Sequence, residues 1–220
     1  MRVLDEISAY DSRMHAPHTP MPGALDQVAG QLAGQGYAQA QGLFGERLLS
    51  DLQDEARHHA ALGELSSAAT GHGAGRQWGT LRGDSTLWLD DARCGAASKQ
   101  LLAELDVLRV LLSRRLMLGL VEIDAHFAQF PAGAGYSRHR DRFRDDDTRV
   151  LSLVCYLNRP WPEDAGGALR LHLPDGPHDI APRLDTTVMF LSEQIEHEVL
   201  PAMQPRLSIA AWFRRRAIAR

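Results

Sequence analysis

The chain has 220 residues, 44% of them hydrophobic and 24% charged, a balance that excludes disordered and collagen-like classes and suits one domain. Its formal net charge of −4 gives no overall pull toward nucleic acid or membrane, and no run nears the ~18 apolar residues of a membrane span. Two cysteines, Cys94 and Cys155, are too few for a disulfide framework, and the opening Met-Arg-Val-Leu-Asp-Glu is no secretory signal, so the expected compartment is the cytoplasm.

Residues 1–23 read as a flexible N-terminal arm, rich in Pro and His from Asp11 to Gly23. From Ala24, the spacing of Leu25, Val28 and Leu32 predicts a helix that stops at Gly34-Gln35-Gly36. A strand over Tyr37 to Phe44 follows, then an amphipathic helix from Gly45 to about Leu62. His58 and His59 near its end suit the negative pole of the helix dipole. Residues 63–80 carry five glycines among small polar residues and predict a long mobile loop, of the length that functional lids have. A strand over Thr80 to Leu89 and a helix over Ala96 to Leu118, with Leu101, Leu105, Leu108, Leu112 and Leu116 on one face, complete the front half.

Beyond Gly119 the texture changes to short β runs separated by Gly, Pro and Asp: 121–130, 150–157, 168–173, 178–180, 186–191, 196–200 and 206–213. The expected fold is mostly β with flanking helices. Its core is a sandwich or a barrel-like jelly roll, with the N-terminal helices packed on one sheet. Residues 24–220 form one domain in this reading, 24–118 supplying helices and lid support and 119–213 the β core. The final Arg214-Arg215-Arg216 and Arg220 read as a solvated terminus.

His139-Arg140-Asp141 is the first chemical signal. On an extended chain, residues two apart share a face, so this imidazole and carboxylate can share one metal ion. With 10 His and 18 Asp in the chain, chance alone supplies roughly one such tripeptide, so it needs context. His197, in a short downstream strand, gives the second imidazole of a two-histidine, one-carboxylate set, which leaves coordination positions open on a non-haem Fe(II).

Arg206 begins a strand in which Arg206, Ser208, Ala210 and Trp212 share one face while Leu207, Ile209, Ala211 and Phe213 share the other. An arginine pointing into a barrel is costly unless a carboxylate meets it. Metal set and inward arginine together describe a site for 2-oxoglutarate, its 2-oxo acid end on the metal and its far carboxylate on Arg206. Tyr156, on the non-aliphatic face of the 150–157 strand, is a second donor for that carboxylate. Elsewhere the reading is structural. His126 is a satisfied core histidine, Cys155 an inert core thiol, and Asp145-Asp146-Asp147 a solvated loop balanced by nearby arginines.

Three stretches carry a resemblance: Phe130-Pro131-Ala132-Gly133-Ala134-Gly135-Tyr136-Ser137-Arg138-His139-Arg140-Asp141, Cys155-Tyr156-Leu157-Asn158, and Gly166-Gly167-Ala168-Leu169-Arg170-Leu171. Arg82-Gly83-Asp84 with Trp88, and His197-Glu198-Val199 through Arg206 to Trp212, continue it. Over about residues 80–213 the chain resembles the Fe(II)/2-oxoglutarate-dependent prolyl hydroxylase domains of the hypoxia-inducible-factor hydroxylase type and their bacterial relatives.

The resemblance implies a double-stranded β-helix (jelly roll, cupin-like) core and Fe(II), with 2-oxoglutarate and O2 as co-substrates and ascorbate as a further cofactor. The implied reaction is peptidyl-prolyl 4-hydroxylation of a protein substrate, releasing succinate and CO2, with no nucleic-acid or membrane partner. It assigns His139, Asp141 and His197 to the metal, Arg206 and Tyr156 to the tail of 2-oxoglutarate, and Tyr136 and Trp212 to the pocket wall. Arg82, Asp84 and the glycine-rich loop before them are then the segment that closes over substrate, with Arg149 near its entrance. Phe130 stands where close relatives have a tyrosine, and Ala210 where a hydroxyl residue is usual, a loss that Ser208 can make good. Two other readings are an oxygenase acting on a small molecule or free amino acid, and a non-catalytic O2- or 2-oxoglutarate-sensing module.

Overall fold

The computed structural model describes residues 22–70, 77–78, 82–142 and 147–217. Most of the arm read at 1–23, and His72 with most glycines of the loop, lie outside the described residues, as do Asp145 and Asp146. The elements in chain order are α1 (Pro22–Gln35), β1 (Tyr37–Ala40), α2 (Glu46–Ala61), β2 (Ser66–Ser67), β3 (Ala69–Thr70), β4 (Gln77–Trp78), β5 (Ser85–Trp88), α3 (Ala96–Leu116), β6 (Leu120–Phe130), β7 (Tyr136–His139), β8 (Arg149–Tyr156), β9 (Leu169–Leu173), β10 (Gly176–Ile180), β11 (Thr187–Leu191), β12 (Glu196–Val199) and β13 (Arg206–Arg215).

Two antiparallel sheets form the core, one ordered β1-β11-β8-β13-β6-β5-β2 and the other β10-β9-β12-β7. This is the jelly roll expected from the strand spacing, in the double-stranded β-helix form that the resemblance implies. The larger sheet presents Phe127, Ile209, Ala211 and Phe213 to the helices, where they join Leu101, Leu105, Leu108 and Leu112 of α3, none more than 1% exposed. Each of these leucine, isoleucine and phenylalanine side chains withdrawn from water contributes on the order of 1.5–3 kcal/mol, which holds the helices on this face. The opposite face looks across to the smaller sheet, with Tyr156, Phe190, Leu169 and Leu171 buried between them.

Several boundaries differ from the pattern reading. β1 stops at Ala40 because its partner β11 begins at Thr187, and Gly42 then turns the chain at φ +67° with its N–H donated to the Asp185 carboxylate at 2.8 Å. Pro22 opens α1, ahead of the predicted start at Ala24. The described parts of 63–80 include β2, β3 and β4, so the segment is not one unbroken loop.

His58 and His59 stand in the last turn of α2, as the sequence places them, and His59 is buried with its Nδ1–H donated to Glu64. One side-chain expectation is corrected. β13 runs on through Arg215, and Arg214 bonds Asp124 and Thr148 while Arg215 bonds Asp147, so these arginines are tied into the sheet. No helix among the described residues is long and apolar enough to cross a membrane.

Candidate metal centre and 2-oxoglutarate pocket

A cavity of about 540 Å³ opens between the two sheets, within the range of small-molecule sites. Strand alternation selects its lining. On β13 the residues Arg206, Ser208, Ala210 and Trp212 face it, and on β6 so do His126, Ala128 and Phe130.

His139, Asp141 and His197 converge on one wall, with their ligand atoms within 4.8 Å of one another. His139 Nε2 lies 3.5 Å and His197 Nε2 3.8 Å from the same Asp141 oxygen, Oδ1. The two histidines are register partners across β7 and β12. Asp141 arrives differently from the two-apart rule: β7 ends at His139, and a bend carries the carboxylate back under both rings.

Each imidazole is oriented by its own backbone. A carbonyl only accepts, so the contacts of His139 Nδ1 with Ser137 O at 2.7 Å and of His197 Nδ1 with Ile195 O at 3.3 Å place the proton on Nδ1. Both Nε2 atoms then carry the lone pair that a metal takes. Burial pushes His197 down to about 4, against the pull of Asp141. Burial alone would raise the Asp141 carboxyl, but the adjoining His197 and His139 imidazoles, with a hydrogen bond from Ser152, outweigh it and hold the carboxyl well below the usual range. Two imidazole nitrogens and a carboxylate are the donor set that suits Fe(II).

Arg206 closes the far end of the pocket. It is 1% exposed, Nη2 donates to Tyr156 Oη at 3.3 Å, and the rings of Phe130 and Tyr156 flank the guanidinium at 5.2 and 4.9 Å. Its Nε has no partner, and no carboxylate pairs with it among the described residues. A buried cation without a counter-ion is costly, so this end of the cavity calls for an anionic ligand. Because Tyr156 Oη accepts from Arg206, its own O–H is free to donate to the same anion. The residues present therefore fit both Fe(II) and 2-oxoglutarate.

The other sequence-selected residues line the same cavity. Ser208 is buried, and Tyr156 is its neighbour across the ladder. Trp212 is buried with its Nε1 unpartnered, under the Arg149 guanidinium 4.0 Å from its ring centroid. Arg82 donates from Nε to Asp84 at 2.6 Å. Burial works against the Arg82 charge, but the bond to Asp84 and the nearby acidic groups raise its pKa. Burial pushes the Tyr136 hydroxyl up to about 12, leaving it protonated at neutral pH. Cys155 lies in the helix-facing core, as predicted, its thiol pushed up to about 12 by burial.

His126, read from the sequence as a satisfied core histidine, is buried with its Nδ1–H donated to Phe127 O at 2.9 Å, and it also lines the pocket. It packs against Trp88 at 5.1 Å and Trp212 at 5.2 Å, and burial pushes it down to about 4. The signal was present, because His126 shares the parity of Phe130, but its cross-strand neighbour Ala210 is visible only once β6 and β13 pair. One other mixed cluster exists among the described residues, Glu55 with His59 and Cys94. There the Glu55 carboxylate is engaged with the start of α3, accepting from Gly95 N–H at 2.7 Å and Ser98 Oγ–H at 2.6 Å.

Comparison with known proteins agrees with this geometry. The family model described as the 2OG-Fe(II) oxygenase superfamily matches residues 125–214. A crystal structure of a Pseudomonas putida prolyl-4-hydroxylase is 43% identical, with a TM-score of 0.80, covering 88% of this chain and 100% of that one. A Trichoplax adhaerens prolyl hydroxylase in complex with a hypoxia inducible factor peptide fragment is 27% identical, with a TM-score of 0.78, covering 86% of this chain and 88% of that one. Human Egl nine homolog 1 is 31% identical over 144 residues, 60% of this chain, and the chain spans 33% of that relative's length. With a family model across the β core and a 43% identical relative matched along its whole length, the chain belongs to the 2OG-Fe(II) oxygenase superfamily.

Proposed function

We propose that the protein is an Fe(II)- and 2-oxoglutarate-dependent dioxygenase that hydroxylates a prolyl residue in a protein substrate. The observation that carries this is the pairing, in one cavity, of the His139–Asp141–His197 cluster with the buried, counter-ion-free guanidinium of Arg206. The likeness to the Pseudomonas putida prolyl-4-hydroxylase along its whole length supports the prolyl target over a free amino acid or a sensing role.

In this reading His139, Asp141 and His197 hold Fe(II), and Arg206, Tyr156 and Ser208 hold the far carboxylate of 2-oxoglutarate. Bound together, Fe(II) and 2-oxoglutarate supply the activation of O2 for hydroxylation, with succinate and CO2 as products. The protein binds, orients and keeps out water. Tyr136 and Trp212 wall the reacting space, and Arg82, Asp84 and Arg149 stand at its mouth to meet the polypeptide. Asp141 stays ionised and His197, kept neutral by burial, stays unprotonated at neutral pH, so no proton competes for their lone pairs. Two buried free thiols, Cys94 and Cys155, suit a reducing cytoplasm, where ascorbate would serve as reductant.

The test is mass spectrometry of lysate proteins treated with the purified enzyme, Fe(II) and 2-oxoglutarate. A gain of about 16 Da on proline, lost in His197→Ala and Asp141→Ala, is the expected result. Succinate release unaffected by those substitutions refutes the metal assignment, and oxidation confined to small molecules refutes the prolyl target.

A further inference from the structure

Tyr136 links two parts of the site that the proposed function treats separately. Its ring stacks on the His139 imidazole, with centroids 3.7 Å apart and planes 19° from parallel. The Arg82 guanidinium lies over the same ring, 5.0 Å from its centroid. One phenol ring therefore meets both a cation and the imidazole.

A regular strand forbids this stack, because residues three apart point to opposite faces. The ladder between β7 and β12 shows how it is made: His197 pairs with His139 and Val199 with Tyr136, two steps on β12 against three on β7. The extra residue is a β-bulge, the device that re-aims a side chain. It turns Tyr136 onto the face of His139 and also lets Ser137 O take the imidazole Nδ1–H. Arg82 is tied to the same place by a backbone bridge to Tyr136 and by Gly83 N–H donating to Gly135 O at 3.0 Å. Gly83 is needed there, since a Cβ at that position would meet Ala134 Cβ at 2.9 Å.

We propose that Tyr136 is a positioning residue for the metal. Clamped by Arg82, it blocks rotation of the His139 ring and holds Nε2 toward the ion before substrate or 2-oxoglutarate arrives. The Ser137 carbonyl fixes one edge of the imidazole and the phenol fixes its plane. The Arg82-Gly83-Asp84 segment thereby bears on the metal through the Tyr136 ring, as well as meeting the polypeptide. The inference rests on His139, Asp141 and His197 being the metal ligands.

Mn(II) alone is the probe, with free ion followed by electron paramagnetic resonance and neither 2-oxoglutarate nor peptide present. Tyr136→Leu is expected to weaken Mn(II) binding about tenfold, as loss of a ligand-orienting partner does. Tyr136→Phe keeps the ring and should stay within about twofold of wild type, and Arg82→Gln should lose roughly threefold. Mn(II) affinity unchanged in Tyr136→Leu overturns the inference, as does an equal loss in Tyr136→Phe, which would put the effect on the hydroxyl. Should Tyr136→Leu not fold, Arg82→Gln decides in the same sense. Asp141→Ala separates the two levels: if it binds Mn(II) as wild type does, the metal assignment fails, and if only it loses affinity, the positioning role alone fails.

Discussion

His139 and His197 are direct partners across the β7–β12 ladder, with ring centroids 4.3 Å apart. This pairing brings together two imidazoles that stand 58 positions apart in the chain (197 − 139), so the candidate metal centre depends on one strand register. A one-residue slip would turn His197 to the other face of its sheet.

Gly135, just before β7, guards that register. A Cβ there would lie 2.6 Å from the Val199 carbonyl oxygen and 3.5 Å from Pro201 Cδ, and the first of these is backbone that cannot rotate away. Gly135→Ala should therefore destabilise the fold by about 1–3 kcal/mol and weaken Mn(II) binding with it. A urea midpoint and a metal affinity both equal to wild type would contradict the packing described.

Arg206 carries a charge that no protein carboxylate among the described residues balances. Arg206→Met should leave the ligand-free protein as stable as wild type or more stable, by up to about 4 kcal/mol. The same change should weaken 2-oxoglutarate binding at least about 30-fold, the equivalent of about 2 kcal/mol. Thermal unfolding and the 2-oxoglutarate dependence of succinate release check the two halves, and a parallel loss in both would mean that Arg206 serves the fold.

Tyr156 accepts from Arg206 and so has its own hydroxyl proton to give. Tyr156→Phe removes one hydrogen bond to the bound anion, worth about 0.5–1.5 kcal/mol. The 2-oxoglutarate requirement should rise about two- to tenfold with Mn(II) affinity unchanged. A fall in metal affinity instead would place Tyr156 nearer the ion than the geometry does.

His126 is buried neutral, pushed down to about 4 from an ordinary value near 6.5. Between these values the unfolded chain binds a proton that the folded chain refuses, so stability rises with pH through this window and is lost as pH falls from about 6.5 toward 4. His126→Asn should remove about 2 kcal/mol of the stability lost between pH 7 and pH 5, read from urea unfolding of the metal-free protein. An unchanged pH slope in the variant would show that His126 is already solvated.

Much of the architecture was legible because side-chain direction is a local, periodic property. The leucines of α3 recur at helical spacing, and the alternation from Arg206 to Phe213 separates a pocket face from a helix-facing one before any partner strand is known. Arg206 could be read as inward-pointing for that reason, and the donor types of His139, Asp141 and His197 named a metal chemistry.

What the sequence could not convey arises between distant segments or from irregular backbone. Arg214 and Arg215 look like a charged tail until β13 is seen to continue beside Asp124 and Asp147. Tyr136 and His139 look like residues on opposite faces until β7 bulges against β12. By itself the sequence determined which faces are apolar and which donor atoms are available, because both follow from residue type and local period. Only the tertiary structure decided which donors meet, since register, bulges and bends are set by strands that the chain supplies dozens of residues away.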